Sequence, residues 1–454
     1  MLAILRAGRR LSIRTRRSTL QGLAMPSSDQ SFTTSLWCAS AKEPPRPVRR
    51  LEGDRSVDVA VIGGGNAGCS AALHLAEGGA TVALLEAREI GFGASGRNGG
   101  QVIPGLKLEP DALEATFGPE RGSRLADLAS GAADRVFDLV ERHGIACDPV
   151  RAGWIQGAHA LPALPAVQAR AAQWQRRGVP LRMLDAGEIA GLTGTNQYVG
   201  GWIDPRAGTI QPLAYVRGLA RAAERAGASV YQETAVRRLA RQGAEWRIET
   251  ERGRLVARSV VLATDAYSDG LWPGLSCTFL TVQSILVATE PLPANVLETI
   301  LPTRACASET RKLAFYFRIS PDNRFVLGGR GAVGPAERDS YRRGLEARMH
   351  RFYPQLRDSR VAYSWSGQVG LTLDSMIHLH EPEPGLHIPL GYNGRGVAMS
   401  TVMGGLLADK LLGRGDDLFP VSGLSPIPGH ALRKPGMTLG IAYYWLKDRL
   451  GYAS

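Results

Sequence analysis

The stretch VDVAVIGGGNAGCSAALHLAEGGATVALLEA, Val57 to Ala87, constrains this chain more than any other. Val57 to Ile62 is a short, mostly apolar run, as expected of a strand buried on both faces of a parallel sheet. Gly63-x-Gly65-x-x-Gly68 follows at once, and AALHLA continues with helical periodicity. A second apolar run, Thr81 to Leu85, ends in Glu86, 23 positions after Gly63 and close to the ~20 expected of a dinucleotide-binding unit. Each part has a physical task. Gly63 permits the tight turn, Gly65 lets a pyrophosphate approach the backbone, and Gly68 lets helix and strand pack closely. The helix opening at Asn66 and Ala67 offers amides and partial positive charge to phosphates. Glu86, followed by Ala87, is placed to accept ribose hydroxyls and repels a 2′-phosphate. The unit predicts one bound adenine dinucleotide. A second match, Gly329-x-Gly331-x-x-Gly334, is followed by Pro335 and AERDSYRR without a later acid, and is read as a turn.

The loop after Glu86 chooses between dinucleotides. GFGASGRNGGQ, Gly91 to Gln101, packs five glycines around Ser95, Arg97 and Asn98. A solvated linker would not interrupt a dinucleotide unit after its second strand, so the loop is read as a cradle. Taken together these residues resemble the D-amino-acid-oxidase-like family of FAD-dependent oxidoreductases. GASGRNGGQ is similar to the gamma-glutamylputrescine oxidase branch. The resemblance implies FAD as cofactor, with Ala94, Ser95, Arg97, Asn98, Gly99, Gly100 and Gln101 in contact with it or beside it. It implies that backbone at Val236 meets the adenine and that Ala263-Thr264, after the strand VVLA, forms another cofactor-edge turn. HIPLGYNGRGVAMSTVMGGLLADKLLG (His387 to Gly413) is then the flavin site, with Gly394, Arg395, Gly396 and Val397 opening a helix toward the flavin ring. The branch carries histidine where this chain has Arg395. The resemblance spans roughly Ser35 to the end of the chain and includes TSLWCAS and FPVSGLSPIPGH.

In LAFYFRI, period two puts Phe315 and Phe317 on one face and Tyr316 and Arg318 on the other. The Tyr/Arg face suits a pocket for an amine bearing a carboxylate, since guanidinium pairs bidentately with carboxylate. Tyr316, Arg318 and Arg395 are therefore the expected catalytic residues. Tyr363 and Trp365 are read as a pocket wall or, for Trp365, core. Lys312 is read as a fixed charge near the flavin or a surface lysine.

The expected fold is α/β: a discontinuous, Rossmann-like FAD-binding domain (residues 31–105, 200–275 and 363–415) and an α+β substrate domain on an antiparallel sheet (106–199 and 276–362). Residues 1–30 are a leader outside the fold, and 416–454 a tail with a short helix. The net charge of +12 suggests nucleic acid, but ten Arg and Lys against two acids in residues 1–50 hold +8 of it. That leaves an ordinary body and no nucleic-acid partner. The leader, Arg/Ser-rich and acid-free, resembles a transit peptide; a start upstream of Met25 is the preferred reading. No run reaches the ~18 apolar residues of a membrane span. Five scattered cysteines without Cys-x-x-Cys fit reduced thiols in a cytoplasmic protein. His378 and His380 read as strand residues, and no metal site is expected. The leading expectation is hydride transfer from an amine or amino acid to FAD, with imine hydrolysis and reoxidation by oxygen to hydrogen peroxide. The alternatives are a dehydrogenase of a hydroxy acid or N-methyl amino acid with another acceptor, and a flavin-bound subunit without turnover. Oligomeric state and flavin attachment have no signal in the sequence.

Overall fold

The computed structural model describes residues 28–332, 335–415 and 417–451. Two sheets organise it. The first has nine strands. Its spine runs Leu386–Leu390, Gly253–Leu262, Gly53–Ile62, Val82–Leu85, Ser229–Tyr231, all parallel neighbours. A hairpin, Arg238–Gln242 and Glu245–Glu249, runs antiparallel from Gly253–Leu262. His378–His380 pairs antiparallel with Leu386–Leu390, so the HLH stretch is a strand.

Alternation explains how the central strand is buried twice. Val59 and Val61 enter the core beneath the helices, whereas Ala60 and Ile62 enter the core on the hairpin side with Trp246 and Ile248. Three helices cover the first face: Asn66–Glu77, Pro212–Arg225 and Gly396–Leu411. They approach closely because Gly404 lies on Ala67 and Ser70; a Cβ there would stand 2.6 Å from the Ala67 carbonyl oxygen. Ser70 Oγ donates to the Thr401 carbonyl at 2.7 Å, fixing the crossing.

The second sheet has eight strands in the order Val361–Leu371, Leu280–Thr289, Phe325–Ala332, Phe315–Ile319, Cys306–Glu309, Trp154–Gly157, Gly201–Asp204, Arg182–Leu184. It is antiparallel except where Cys306–Glu309 lies parallel to Trp154–Gly157. One face, with Ile155, Ile285, Val287, Ala307, Phe317 and Leu327, forms a core under the helix Pro335–Phe352. The intervening residues face the first sheet, and they build the site below.

Four expectations are corrected here. Gly201–Asp204 and Val361–Leu371 pair in the second sheet, so the substrate layer runs past the boundaries expected at 200 and 363. Ser28–Thr33 is helical and its Phe32 is fully buried, so the fold begins before residue 31; the reading of Met25 lies outside the described residues. The tail carries a helix of 17 residues, Arg433–Arg449, longer than the short one expected. The second glycine motif is not a turn at its start: Gly329 and Gly331 lie in the strand Phe325–Ala332, while Gly334 lies outside the described residues.

Candidate active site

Between the sheets runs a cleft of about 1290 Å³. At one end the first strand stops at Ile62 and the chain turns at Gly63, whose φ is +111°. A side chain at Gly63 would strike the Ala263 carbonyl oxygen at 2.7 Å, so the turns after the strands Gly53–Ile62 and Gly253–Leu262 interlock. A Cβ at Gly68 would lie 2.0 Å from the Gly63 carbonyl oxygen, which shows how tightly the helix sits on the turn. Glu86 follows the second strand, where its carboxylate accepts from the amides of Gly64 at 2.7 Å and Arg88 at 2.9 Å. Burial pushes its pKa up, and those amides oppose the shift.

The Gly91–Gln101 loop is a built object. Asn98 Nδ2 donates to the carbonyls of Ala94 and Ser95, and its Oδ1 accepts from the Gly100 amide at 2.8 Å. Ser95 Oγ accepts from the Asn66 amide at 2.9 Å, tying the loop to the helix that opens beside it. Arg97 is buried, donates to the carbonyls of Phe92 and Ser366, and stacks on Phe32 and Phe92. Gln101 reaches the second sheet through the carbonyls of Ala307 and Phe317. Trp37, in the TSLWCAS segment, donates to the Asn98 carbonyl at 2.7 Å and meets Trp365 edge-on, and Trp365 donates to the Arg97 carbonyl at 2.8 Å.

At the other end, Trp154 and Gln156 project from one strand, Ser308 from the next and Tyr316 from the one beyond. Tyr316 hydroxyl bonds Ser284 Oγ at 2.7 Å. Its ring needs two glycines. A Cβ at Gly328 would stand 2.1 Å from the ring and one at Gly99 2.7 Å. Gly328 of FVLGGRG thus makes room for a tyrosine across the strand, whereas Gly329 faces Leu345 and Tyr341 on the other side. Arg395, the residue before the helix Gly396–Leu411, lays its guanidinium 4.6 Å from the centre of the Trp154 ring. The turn before it is held by Asn393 (φ +51°) and by Asp265, which accepts from the Gly391 amide at 2.8 Å. Burial raises the pKa of Asp265.

A single family model, described as DAO, FAD dependent oxidoreductase, matches residues 58–410. The chain belongs to the DAO family of FAD-dependent oxidoreductases. Gamma-glutamylputrescine oxidoreductase of Escherichia coli K12 is 32% identical over 424 residues, covering 92% of this chain and 99% of that protein. The crystal structure of glycine oxidase from Geobacillus kaustophilus superposes with a TM-score of 0.66 at 25% identity, covering 82% of this chain and 99% of that one. L-proline dehydrogenase from P. horikoshii shares the fold, with a TM-score of 0.67 at 20% identity over 81% of this chain and 96% of that one. The DAO family is FAD-dependent, and the relatives are enzymes that act on C–N groups. The α/β architecture of a Rossmann-like FAD layer and a substrate layer follows with it.

The DAO-family chain brings most of the expected residues to one cleft. Gly63, Gly65, Asn66, Ala67, Glu86, Ala87, Ala94, Ser95, Arg97, Asn98, Gly99, Gln101, Val236, Ala263, Thr264, Tyr316, Gly394, Arg395, Gly396 and Val397 all line it. The fit to a dinucleotide rests on the interlocked glycine turns at one end, where no side chain has room. Three expected residues do not line the cleft. Gly68 acts through packing. Gly100 (φ +69°) shapes the loop. Arg318 is the substantive correction: it is fully buried and donates to the carbonyls of Gly100 at 3.1 Å and Ile210 at 2.7 Å. It shares the Tyr316 face as expected but lies deeper, under the loop. Tyr363 and Trp365 are also absent from the lining, and Trp365 is core.

Trp154, Gln156, Ser308 and Asp265 were missed, as was the place of the helix Arg433–Arg449 along the cleft. The WIQG alternation was available as a signal, but nothing local paired it with Cys306–Glu309. Lys312 lines the cleft mouth with Nζ 5.8 Å from the Tyr444 ring; burial, then nearby Lys447, lowers its pKa. The helix is pinned by Asp448, which accepts from the amides of Lys312 and Leu313 at 2.8 and 3.0 Å.

Nearby His159, 8% exposed, bonds Thr310 Oγ1 at 2.7 Å. Its pKa falls from 6.5 to about 4, first through burial and then through Arg311, with Asp448 opposing. The folded chain therefore refuses a proton that the unfolded chain accepts. The His159 contribution is intact above pH 6.5 and is lost progressively as pH falls toward about 4. Urea midpoints measured across that window should fall with pH, and His159→Asn should flatten that part of the fall. An unchanged slope would show that the imidazole titrates freely in the fold.

Proposed function

We propose that this enzyme oxidises the C–N bond of a small amine that also carries a carboxylate, releasing an imine that water hydrolyses to an aldehyde or keto acid, and that oxygen is the final acceptor. The observation that carries the reading is the charge of the substrate end of the cleft. Lys107, Arg170, Arg311, Lys312 and Arg395 line it; of the acids there, Glu309 pairs with Arg311 and Asp265 accepts from the Gly391 amide, while Arg170 pairs with Glu109, which leaves an excess of cations led by Lys107, Lys312 and Arg395. Gamma-glutamylputrescine, named for the E. coli relative, has such a carboxylate at one end and a primary amine at the other.

The Gly63 turn, Glu86 and the Gly91–Gln101 loop would hold FAD, which when bound would supply the two-electron acceptor and the link to oxygen. The chain supplies placement. Arg395, over the Trp154 ring, is the guanidinium presented at the junction of the two sheets, and it anchors the carboxylate. Tyr316 is held by Ser284 and flanked by Gly99 of the cofactor loop, so it fixes the ring wall between loop and sheet. The apolar lining of Val282, Leu286 and Tyr392 keeps water from the reacting carbon and favours the neutral, reactive amine over its cation. Tyr316 and Arg395 keep their expected roles in this reading; Arg318 becomes a positioning residue that holds the loop.

The test is anaerobic addition of gamma-glutamylputrescine, putrescine and single amino acids to the purified yellow protein. Bleaching by carboxylate-bearing amines at much lower concentration than by putrescine supports the proposal. Equal bleaching by putrescine, or none by any compound, overturns it. Admitting air and measuring peroxide then tests the acceptor separately.

A further inference from the structure

The helix Arg433–Arg449 has two faces with different surroundings. Met437, Gly440, Ile441 and Tyr444 look into the cleft, and Asp448 clamps that side to the second sheet. The opposite side carries Leu439, Tyr443, Leu446 and Leu450, spaced i, i+4, i+7 and i+11 on one helical stripe. These four are 72%, 56%, 51% and 61% exposed, and Trp445 beside them is 55% exposed. A stripe of this kind on a folded surface marks something that covers it.

Charge selects what. Lys434, Lys447 and Arg449 accompany the stripe, with Lys447 and Arg449 near the Tyr443 and Trp445 rings at 5.7 and 5.4 Å. The helix has one acid, Asp448, and it is buried on the inward side. A second copy of this helix would therefore set cation against cation with no carboxylate to pair. An anionic lipid surface meets both requirements, since aromatic and leucine side chains enter the headgroup boundary while Lys and Arg stay with the phosphates. Among the described residues no helix is long and apolar enough to cross a membrane, so the contact would be peripheral.

We propose that the Arg433–Arg449 helix docks this chain on anionic lipid bilayers. The cleft mouth, walled by the same helix, then opens at the membrane surface. This inference is independent of the substrate assigned above.

Full-length, flavin-loaded protein is floated with vesicles of phosphatidylcholine alone and of phosphatidylcholine with phosphatidylglycerol. Binding to the anionic vesicles only, weakened by added salt, is expected. Leu439→Ser with Leu446→Ser removes two exposed leucines and should weaken partitioning at least about tenfold with flavin absorbance unchanged. Lys434→Glu with Arg449→Glu should abolish the preference for the anionic lipid. Failure of the parent chain to float with either vesicle overturns the proposal. So does floating of both variants on anionic vesicles to the same extent as the parent. A concentration-dependent dimer broken by the leucine substitutions, in a chain that does not float, would assign the stripe to a second copy instead.

Discussion

Gly68→Ala is expected to yield a protein that has lost both its flavin absorbance and a large part of its stability. The added methyl group would stand 2.0 Å from the Gly63 carbonyl oxygen and 3.3 Å from Val61 Cγ1. Both neighbours are parts of the first strand and its turn, so no flexible side chain can swing aside. Relief requires the helix Asn66–Glu77 to lift from the sheet, yet that helix is also packed against Gly396–Leu411 through Gly404. Overpacking of this kind costs about 3 kcal/mol or more. The lift also moves the first-turn amides away from the Gly63 turn, and with them the phosphate site. Urea unfolding and the visible spectrum of the purified variant read the two effects. Gly191→Ala is the matched control, because that helical glycine has nothing within 4 Å of its would-be Cβ. It should be neutral or stabilising by roughly 0.5–1 kcal/mol. Equal midpoints and equal colour for the two variants would refute the close packing.

Arg395→Leu should raise KM for a carboxylate-bearing amine by about ten- to hundredfold, the worth of a charged hydrogen bond. Its effect on putrescine should be slight, since that amine has no carboxylate to anchor. Arg395→Lys keeps the charge but loses the planar fork and its seat on Trp154, and should recover only part of the loss. The comparison of substrates separates anchoring from damage to the fold: damage would depress oxidation of both. A variant whose KM for both amines rises together would move the carboxylate anchor elsewhere in the cleft, with Lys312 or Lys107 next to be replaced.

Different parts of this architecture were legible to different degrees, for reasons that are local. The Gly63–Gly68 turn could be read because the backbone demands glycine at those positions whatever the rest of the chain does. The GASGRNGGQ loop was equally readable as a cradle, and its internal hydrogen bonds from Asn98 are short in sequence. Arg318 shows the limit of periodicity. Period two fixes which face a residue takes but not how far along the strand the cleft extends; about 7 Å beyond Tyr316 the same face is already under Gly100 and Ile210. Trp154 and Gln156 were hidden because their strand is paired with one about 150 residues later in the chain. Gly329 was read as the start of a turn and Gly328 was not singled out at all, since nothing local says that a strand runs there or that Tyr316 lies across Gly328.

The cofactor loop is fastened on every side: to the helix by Ser95, to the amino-terminal segment by Trp37, to one strand by Arg97 and Trp365, and to two others by Gln101. A loop held in this way cannot open by itself at small cost, because opening would break bonds to the helix Asn66–Glu77 and to three strands of the second sheet together. Release of a seated dinucleotide then keeps pace with unfolding of the whole chain, so dilution or dialysis alone would strip it slowly. Retention becomes a kinetic property of the fold, set by the barrier to coming apart rather than by the strength of any one contact.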